Sequence, residues 1–175
     1  QFWAFEEEVE DDTQVTISTI AEALAGETGS NFYVKGVVTL LDGKNIYIQD
    51  ETGGIDLYFS AAPSGLSLGD TVIGNGNLSI YNGLPQLGAA KYDLVEDEEE
   101  KLTLTAKETT IGALTQADIC VYVNIKDLEV TGVSGTTIDV KDSEENTIQI
   151  YKAVLGEQTV AVGDSIDFTG AVGYY

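Results

Sequence analysis

The chain contains no histidine, no arginine, no methionine and a single cysteine among its 175 residues. The lack of histidine excludes Cys/His zinc sites and Ser-His-Asp triads, which need an imidazole as ligand or base. One cysteine cannot close an intrachain disulfide. Cys120 stands in the apolar run Ile119-Cys120-Val121-Tyr122-Val123, a setting for a small buried thiol and not for a nucleophile. Long apolar runs are absent too, and none approaches the roughly 18 residues of a membrane-crossing helix. The chain opens on Gln1 without a signal-peptide pattern, so the expectation is that an upstream segment was removed.

What is abundant is acid. Eight lysines face 30 Asp and Glu, for a net charge of −22. Six carboxylates fall within residues 1–13 and six more within 93–100, so over half of the net charge sits in two short runs. The stretch 14–92 carries −4 and 101–175 carries −6. Runs of like charge read as solvated tails or linkers. Weak divalent-cation binding is the other use of such runs, but neither 6–12 nor 96–100 has the spacing of a defined calcium loop. No cofactor or metal is expected.

Self-comparison reveals a duplication at an offset of about 91–94 residues. Thr19-Ile20-Ala21-Glu22-Ala23-Leu24 parallels Thr110-Ile111-Gly112-Ala113-Leu114, and Tyr33-Val34-Lys35-Gly36-Val37-Val38 loosely parallels the six residues from Asn124. Ile46-Tyr47-Ile48-Gln49-Asp50 matches Ile138-Asp139-Val140-Lys141-Asp142, and Ile55-Asp56-Leu57-Tyr58 matches Ile148-Gln149-Ile150-Tyr151. Leu68-Gly69-Asp70-Thr71-Val72 matches Val162-Gly163-Asp164-Ser165-Ile166; Gly76 and Tyr81 have counterparts in Gly170 and in Tyr174 or Tyr175.

Within each unit apolar residues alternate. Ile46 and Ile48 oppose Tyr47 and Gln49, while Ile55, Leu57 and Phe59 oppose Asp56 and Tyr58. A period of two with β-branched and aromatic residues marks half-buried strands. Turns are expected at 42–45, 50–54 and 82–85, and Gly36 suits a bulge or sharp coil inside its strand. The first unit is expected to hold strands at 32–41, 45–50, 54–60, 70–81 and 85–95, and the second at 120–131, 136–142, 146–152 and 164–173. Short helices are expected at 19–25 and 110–117, each opened by a capping hydroxyl. Five short strands with one apolar face bury that face by curling into a barrel. The second unit has no fifth strand in this sequence, which leaves an edge open to self-association.

These motifs, with Tyr81-Asn82-Gly83-Leu84-Pro85-Gln86-Leu87, resemble bacterial OB-fold (oligonucleotide/oligosaccharide-binding) domains of secreted nucleases and lipoproteins, over residues 17–95 and more weakly in the second unit. The resemblance implies an all-β chain of two tandem five-stranded Greek-key barrels. The expected layout is an acidic tail (1–13), barrel one (14–95), an acidic linker (96–104) and an incomplete barrel two (105–175). It also implies an extracytoplasmic binding module, lipid-anchored upstream of residue 1.

OB barrels bind across strands two and three, framed by the loops after strands one and four. On this chain that surface would hold Lys35, Lys44, Tyr47, Gln49, Tyr58, Tyr81 and Asn82, with Asn45 beside them. In the second unit Asp139 and Lys141 replace Tyr47 and Gln49, and only Tyr151 matches Tyr58, so its platform is reduced. Stacked aromatics fit weak single-stranded nucleic-acid binding. With no arginine, phosphate neutralisation is poor, and a glycan or a protein is the alternative partner. Asp42, Asp50, Glu51, Asp70 and Asp164 fall at turns, where acids are ordinary, so no enzymatic site is expected.

Overall fold

A computed structural model of the chain describes residues 14–174. The expectation of an acidic tail at 1–13 and the counterpart role of Tyr175 fall outside those residues. Among the described residues no helix is long and apolar enough to cross a membrane.

The first unit runs β1 (Ile17–Ser18), α1 (Ile20–Leu24), β2 (Asn31–Asp42), β3 (Asn45–Asp50), β4 (Gly53–Tyr58), β5 (Thr71–Tyr81) and β6 (Leu84–Leu94). Its sheet follows the order β1-β2-β3-β4-β6-β5, and β5 pairs back onto β2 to close a five-stranded barrel. One strand makes the closure possible. Asn31 to Val37 of β2 pair with β5, while Val37 to Asp42 pair with β3. Gly36 stands at this change of partner, where a β-carbon would lie 3.0 Å from the Gln49 carbonyl oxygen. The bulge itself falls two residues later, between Val38 and Leu40.

The alternating residues read from the sequence, Ile46, Ile48, Ile55, Leu57 and Phe59, lie in the core, joined there by residues of β2, β5 and β6. Val34, Val38, Ile48, Ile55, Leu57, Val72 and Leu87 have no exposed surface. Each such side chain is worth roughly 1.5–3 kcal/mol against leaving it in water. Helix α1 plugs the bottom of the barrel with Ile20 and Ala23. Thr19 and Glu22 form its capping box, and the Ile20 amide donates to Asp50 at 2.8 Å.

The second unit holds β7 (Lys107–Glu108), β8 (Tyr122–Ser134), β9 (Thr137–Lys141), β10 (Thr147–Ile150) and β11 (Ser165–Ala171). Its sheet order is β10-β9-β8-β11, with β7 parallel to β8 as β1 is to β2. The duplication extends to single hydrogen bonds. Gly69 donates to Val38 at 3.0 Å and Gly163 to Val130 at 2.9 Å; Ser67 donates to the Asp70 carboxylate at 2.8 Å and Ala161 to Asp164 at 2.9 Å. Both glycines have strongly positive φ, 89° and 94°. β8 also repeats the bulge, between Val130 and Gly132.

One expectation is corrected. No single helix forms over 110–117; two 3-10 turns, Ile111–Ala113 and Gln116–Asp118, take its place. Gly112 weakens helix propagation, and Thr115 with Asp118 starts a fresh capping box that interrupts it. The run 96–100 is exposed throughout, and the segment also touches the first barrel. Leu102 donates to the Thr71 hydroxyl at 2.8 Å, and Glu100 reaches Lys35 at 2.7 Å, which ties the segment to the first barrel.

Candidate functional site

The outward face of β3, β4, β6 and β5 is built in lateral rows. Tyr47 lies beside Asp56, then Gln86, then Ser79; the next row runs Asn45, Tyr58, Gly88, Asn77. Pleating alone places Tyr47, Gln49 and Tyr58 on this outer face, as expected from alternation. What covers them differs.

The Tyr47 end of the upper row, with Gln49 two residues further along β3, is covered by the second unit. Tyr47 is 9% exposed and packs with Ile119 and Cys120, against Leu40, Leu84 and Ala171. Gln49 is equally buried: its Oε1 accepts from the Tyr122 amide at 2.8 Å, and its Nε2 donates to the Thr105 carbonyl at 3.3 Å. The Thr39 hydroxyl donates to the Cys120 carbonyl at 2.9 Å, and Lys152 reaches Asp42 at 2.6 Å. The expected ligand face is thus used, over half its extent, to hold the two units together. Tyr47 and Gln49 are contact residues between them, and Lys35 is neutralised by Glu100.

Three further residues of this contact were not singled out as site residues by sequence. Gly54 approaches Cys120 so closely that only a missing side chain allows it: a β-carbon there would meet the Cys120 carbonyl carbon at 2.7 Å. Cys120 has φ of +67° and makes the turn into the docking segment. Its amide donates to Val172 at 2.8 Å, and its thiol is pushed well above its ordinary pKa by burial, then by the nearby Asp56 charge. Asp56 is fully buried, with neither carboxylate oxygen hydrogen-bonded within the described residues. Burial raises its pKa to about 7, and the Ile46 backbone offsets this only in part. Its sequence signal was a single acid facing the same way as Tyr47, one strand over.

The lower row stays open. Tyr58 is 37% exposed and lies beside Gly88, which contributes no side chain, with Asn45 and Asn77 in register on either side. Lys44, in the turn before Asn45, is exposed and makes no ion pair among the described residues. Tyr81 and Asn82 stand at the tip of the β5–β6 hairpin, Tyr81 at 65% exposure and Asn82 with φ of +49°. Gly83 beside them abuts the Tyr174 ring, so that hairpin also leans on the second unit. Of the seven expected residues, Lys44, Tyr58, Tyr81 and Asn82 are therefore exposed, and only Lys44 and Tyr58 flank the open row.

Six of the eight lysines are held in ion pairs with carboxylates: Lys35, Lys101, Lys107, Lys126, Lys141 and Lys152. Among the described residues Lys44 and Lys91 make no ion pair. Among the described residues no three His, Cys, Asp or Glu side chains gather as a ligand set for a metal. Of the acids expected at turns, Asp50 accepts from the amides of Thr52 and Gly53; Asp142, not singled out by sequence, accepts likewise from those of Glu144 and Asn146.

The strand order of the first unit, with its closure through β2, defines an OB-like all-β fold, and the second sheet repeats it without a fifth strand among the described residues. No family model and no curated protein matches the chain. Among solved structures it is similar to a chain of a replication protein A heterotrimer bound to single-stranded DNA. The identity is 8%, the TM-score 0.38, and the match covers 78% of this chain and 54% of that one. This chain therefore spans about half the length of that relative, and likeness at this level transfers none of its binding to this protein.

Proposed function

We propose that the chain is a non-catalytic, extracytoplasmic binding module that takes a neutral glycan on the Tyr58 row. The observation that carries this reading is the half-exposed Tyr58 ring beside side-chain-free Gly88, flanked by Asn45 and Asn77. An aromatic face accepts the apolar face of a sugar ring, and amide groups at its edge match hydroxyls. The charge favours a neutral ligand. A polyanion would approach a molecule of −22 whose lysines are mostly engaged. The extracytoplasmic assignment draws on the likeness to lipoprotein domains and is tested by fractionating cells that express the intact gene.

A second reading, weak single-strand nucleic-acid binding, is favoured by the same ring in an OB-like barrel with Lys44 alongside. Stacking on one tyrosine is worth roughly 1–3 kcal/mol per base. One experiment separates the two. Wild type and Tyr58→Ala are titrated with a labelled single-stranded oligonucleotide of about 15 nucleotides and with a panel of neutral oligosaccharides, each at low and high salt. Glycan affinity that is flat with salt and lost in Tyr58→Ala supports the proposal. Oligonucleotide affinity that falls steeply with salt and is lost in the same variant moves the function to nucleic acid. Binding of neither sinks the Tyr58 row as a ligand site.

A further inference from the structure

Asp56 stands on the outer face of the first barrel, between Tyr47 of β3 and Gln86 of β6, yet none of its surface reaches water. The second unit supplies the seal: Ile119 and Cys120 pack on Tyr47, and Cys120 meets Gly54, two residues before Asp56. Neither carboxylate oxygen of Asp56 has a hydrogen-bond partner, and no lysine pairs with it among the described residues. The titratable groups beside it are the Tyr47 phenol from β3 and the Cys120 thiol from the docking segment, and β6 offers only the Gln86 amide. Asp118, in the 3-10 turn packed on β4, is committed to Lys107 at 2.6 Å, and Asp42 of β2 to Lys152. The barrel itself does not call for an acid here. The matching position of the second unit holds Gln149, which is exposed and donates to Asp139 at 2.9 Å.

A carboxylate enclosed without partners is hard to ionise, and burial accordingly raises the pKa of Asp56 to about 7. Two events could hydrate the charge once it forms. Unfolding the barrel would expose Ile48, Ile55 and Leu57, which are completely buried. Lifting the second unit would leave them packed, because Asp56 points outward. The polar bonds of the contact, from the Tyr122 amide to Gln49 and from the Thr39 hydroxyl to the Cys120 carbonyl, can be exchanged for bonds to water. We propose that Asp56 is a proton-operated latch on the contact between the two units. With its carboxyl neutral the second unit seats over Tyr47 and Gln49; with its carboxyl ionised that unit lifts more often and uncovers them. The device is separate from the Tyr58 row, which is open in either state.

The test is hydrogen exchange of the full chain, followed residue by residue by NMR from pH 5 to pH 8 and corrected for the intrinsic pH dependence of exchange. The Tyr122 amide, which donates to Gln49 across the contact at 2.8 Å, reports docking. The amides of Ile48 and Val140, inside the two sheets, report whether each unit stays folded. Tyr122 is expected to lose protection at least ten-fold over this range, while Ile48 and Val140 change much less. The loss accrues up to about 7 and levels off above it, because beyond that point the docked state has also released the proton. Asp56→Asn, neutral at every pH, keeps Tyr122 equally protected throughout. Protection of Tyr122 that is independent of pH in the wild type overturns the latch, whatever the variant does. A loss that begins only above pH 7 also overturns it, as does an equal loss in Asp56→Asn, which would assign the opening to other groups. A parallel loss at Ile48 and Val140 would mean unfolding in place of separation, and overturns it too.

Discussion

Gly54 and Cys120 touch across the two units at a distance no other residue at position 54 would permit: a β-carbon on Gly54 would come within 2.8 Å of the Cys120 β-carbon. The contact joins a hairpin glycine of the first barrel to the residue that turns the chain into β8. Several expected outcomes depend on it.

Replacing Gly54 with alanine forces these backbones apart. Overpacking of this kind costs roughly 1–3 kcal/mol. Cys120 is the only cysteine and is fully buried, so it reports the opening directly. The wild-type thiol is expected to resist Ellman's reagent under native conditions and the Gly54→Ala thiol to react at least several-fold faster. Equal rates would mean that the units do not meet in solution as described.

Gln49 tests the reassignment of the covered half of this face. Its side chain satisfies the Tyr122 amide and a Thr105 carbonyl, so Gln49→Ala leaves buried polar groups without partners. The expected loss is about 1–3 kcal/mol in urea denaturation. Tyr58→Ala should leave that curve within about 0.5 kcal/mol of wild type, as for a surface change. A Gln49→Ala protein of unchanged stability would return Gln49 to the list of ligand contacts.

Asp56 makes stability depend on pH in a known direction. Its carboxyl ionises at about 7 in the fold against 3.8 ordinarily. Between those values the native state holds a proton that the unfolded chain has released, so stability falls as pH rises. The contribution is complete below about 3.8 and is lost as pH passes through about 7. The gap between 3.8 and about 7 corresponds to roughly 4 kcal/mol at most, because water entry and relaxation reduce it. The many other acids also weaken the fold at high pH, so the measured quantity is the difference between wild type and Asp56→Asn. That difference should move in favour of the variant from pH 5 to pH 8, and a difference independent of pH would refute the sealed environment of Asp56.

Lys35 sits in an ion pair that is exposed on the Glu100 side. Lys35→Ala is expected to cost less than about 1 kcal/mol, as exposed pairs do, with the cost shrinking in high salt. Thermal scans at two salt concentrations measure it. Glycan affinity should not change.

The alternation of Ile46, Ile48, Ile55 and Leu57 was enough to set the strands and their inward faces, because a pleated chain has a strict period of two. The Gly-Asp steps at 69–70 and 163–164 were enough to show the duplication, since their backbone geometry and side-chain bonds are local. Strand limits read from the sequence agree with the structure to within about three residues for the same reason. What pleating cannot say is which outward residues meet water. Tyr47 and Tyr58 are both outward from the barrel, yet one is covered by Ile119 and Cys120 and the other is open. That difference arises from residues more than 70 positions away in the chain, as the Gln49–Tyr122 bond shows. The sealing of Asp56 and the fit of Gly54 likewise exist only after the two units pack. Local chemistry wrote the strands, and long-range burial decided which of their faces were left for a ligand.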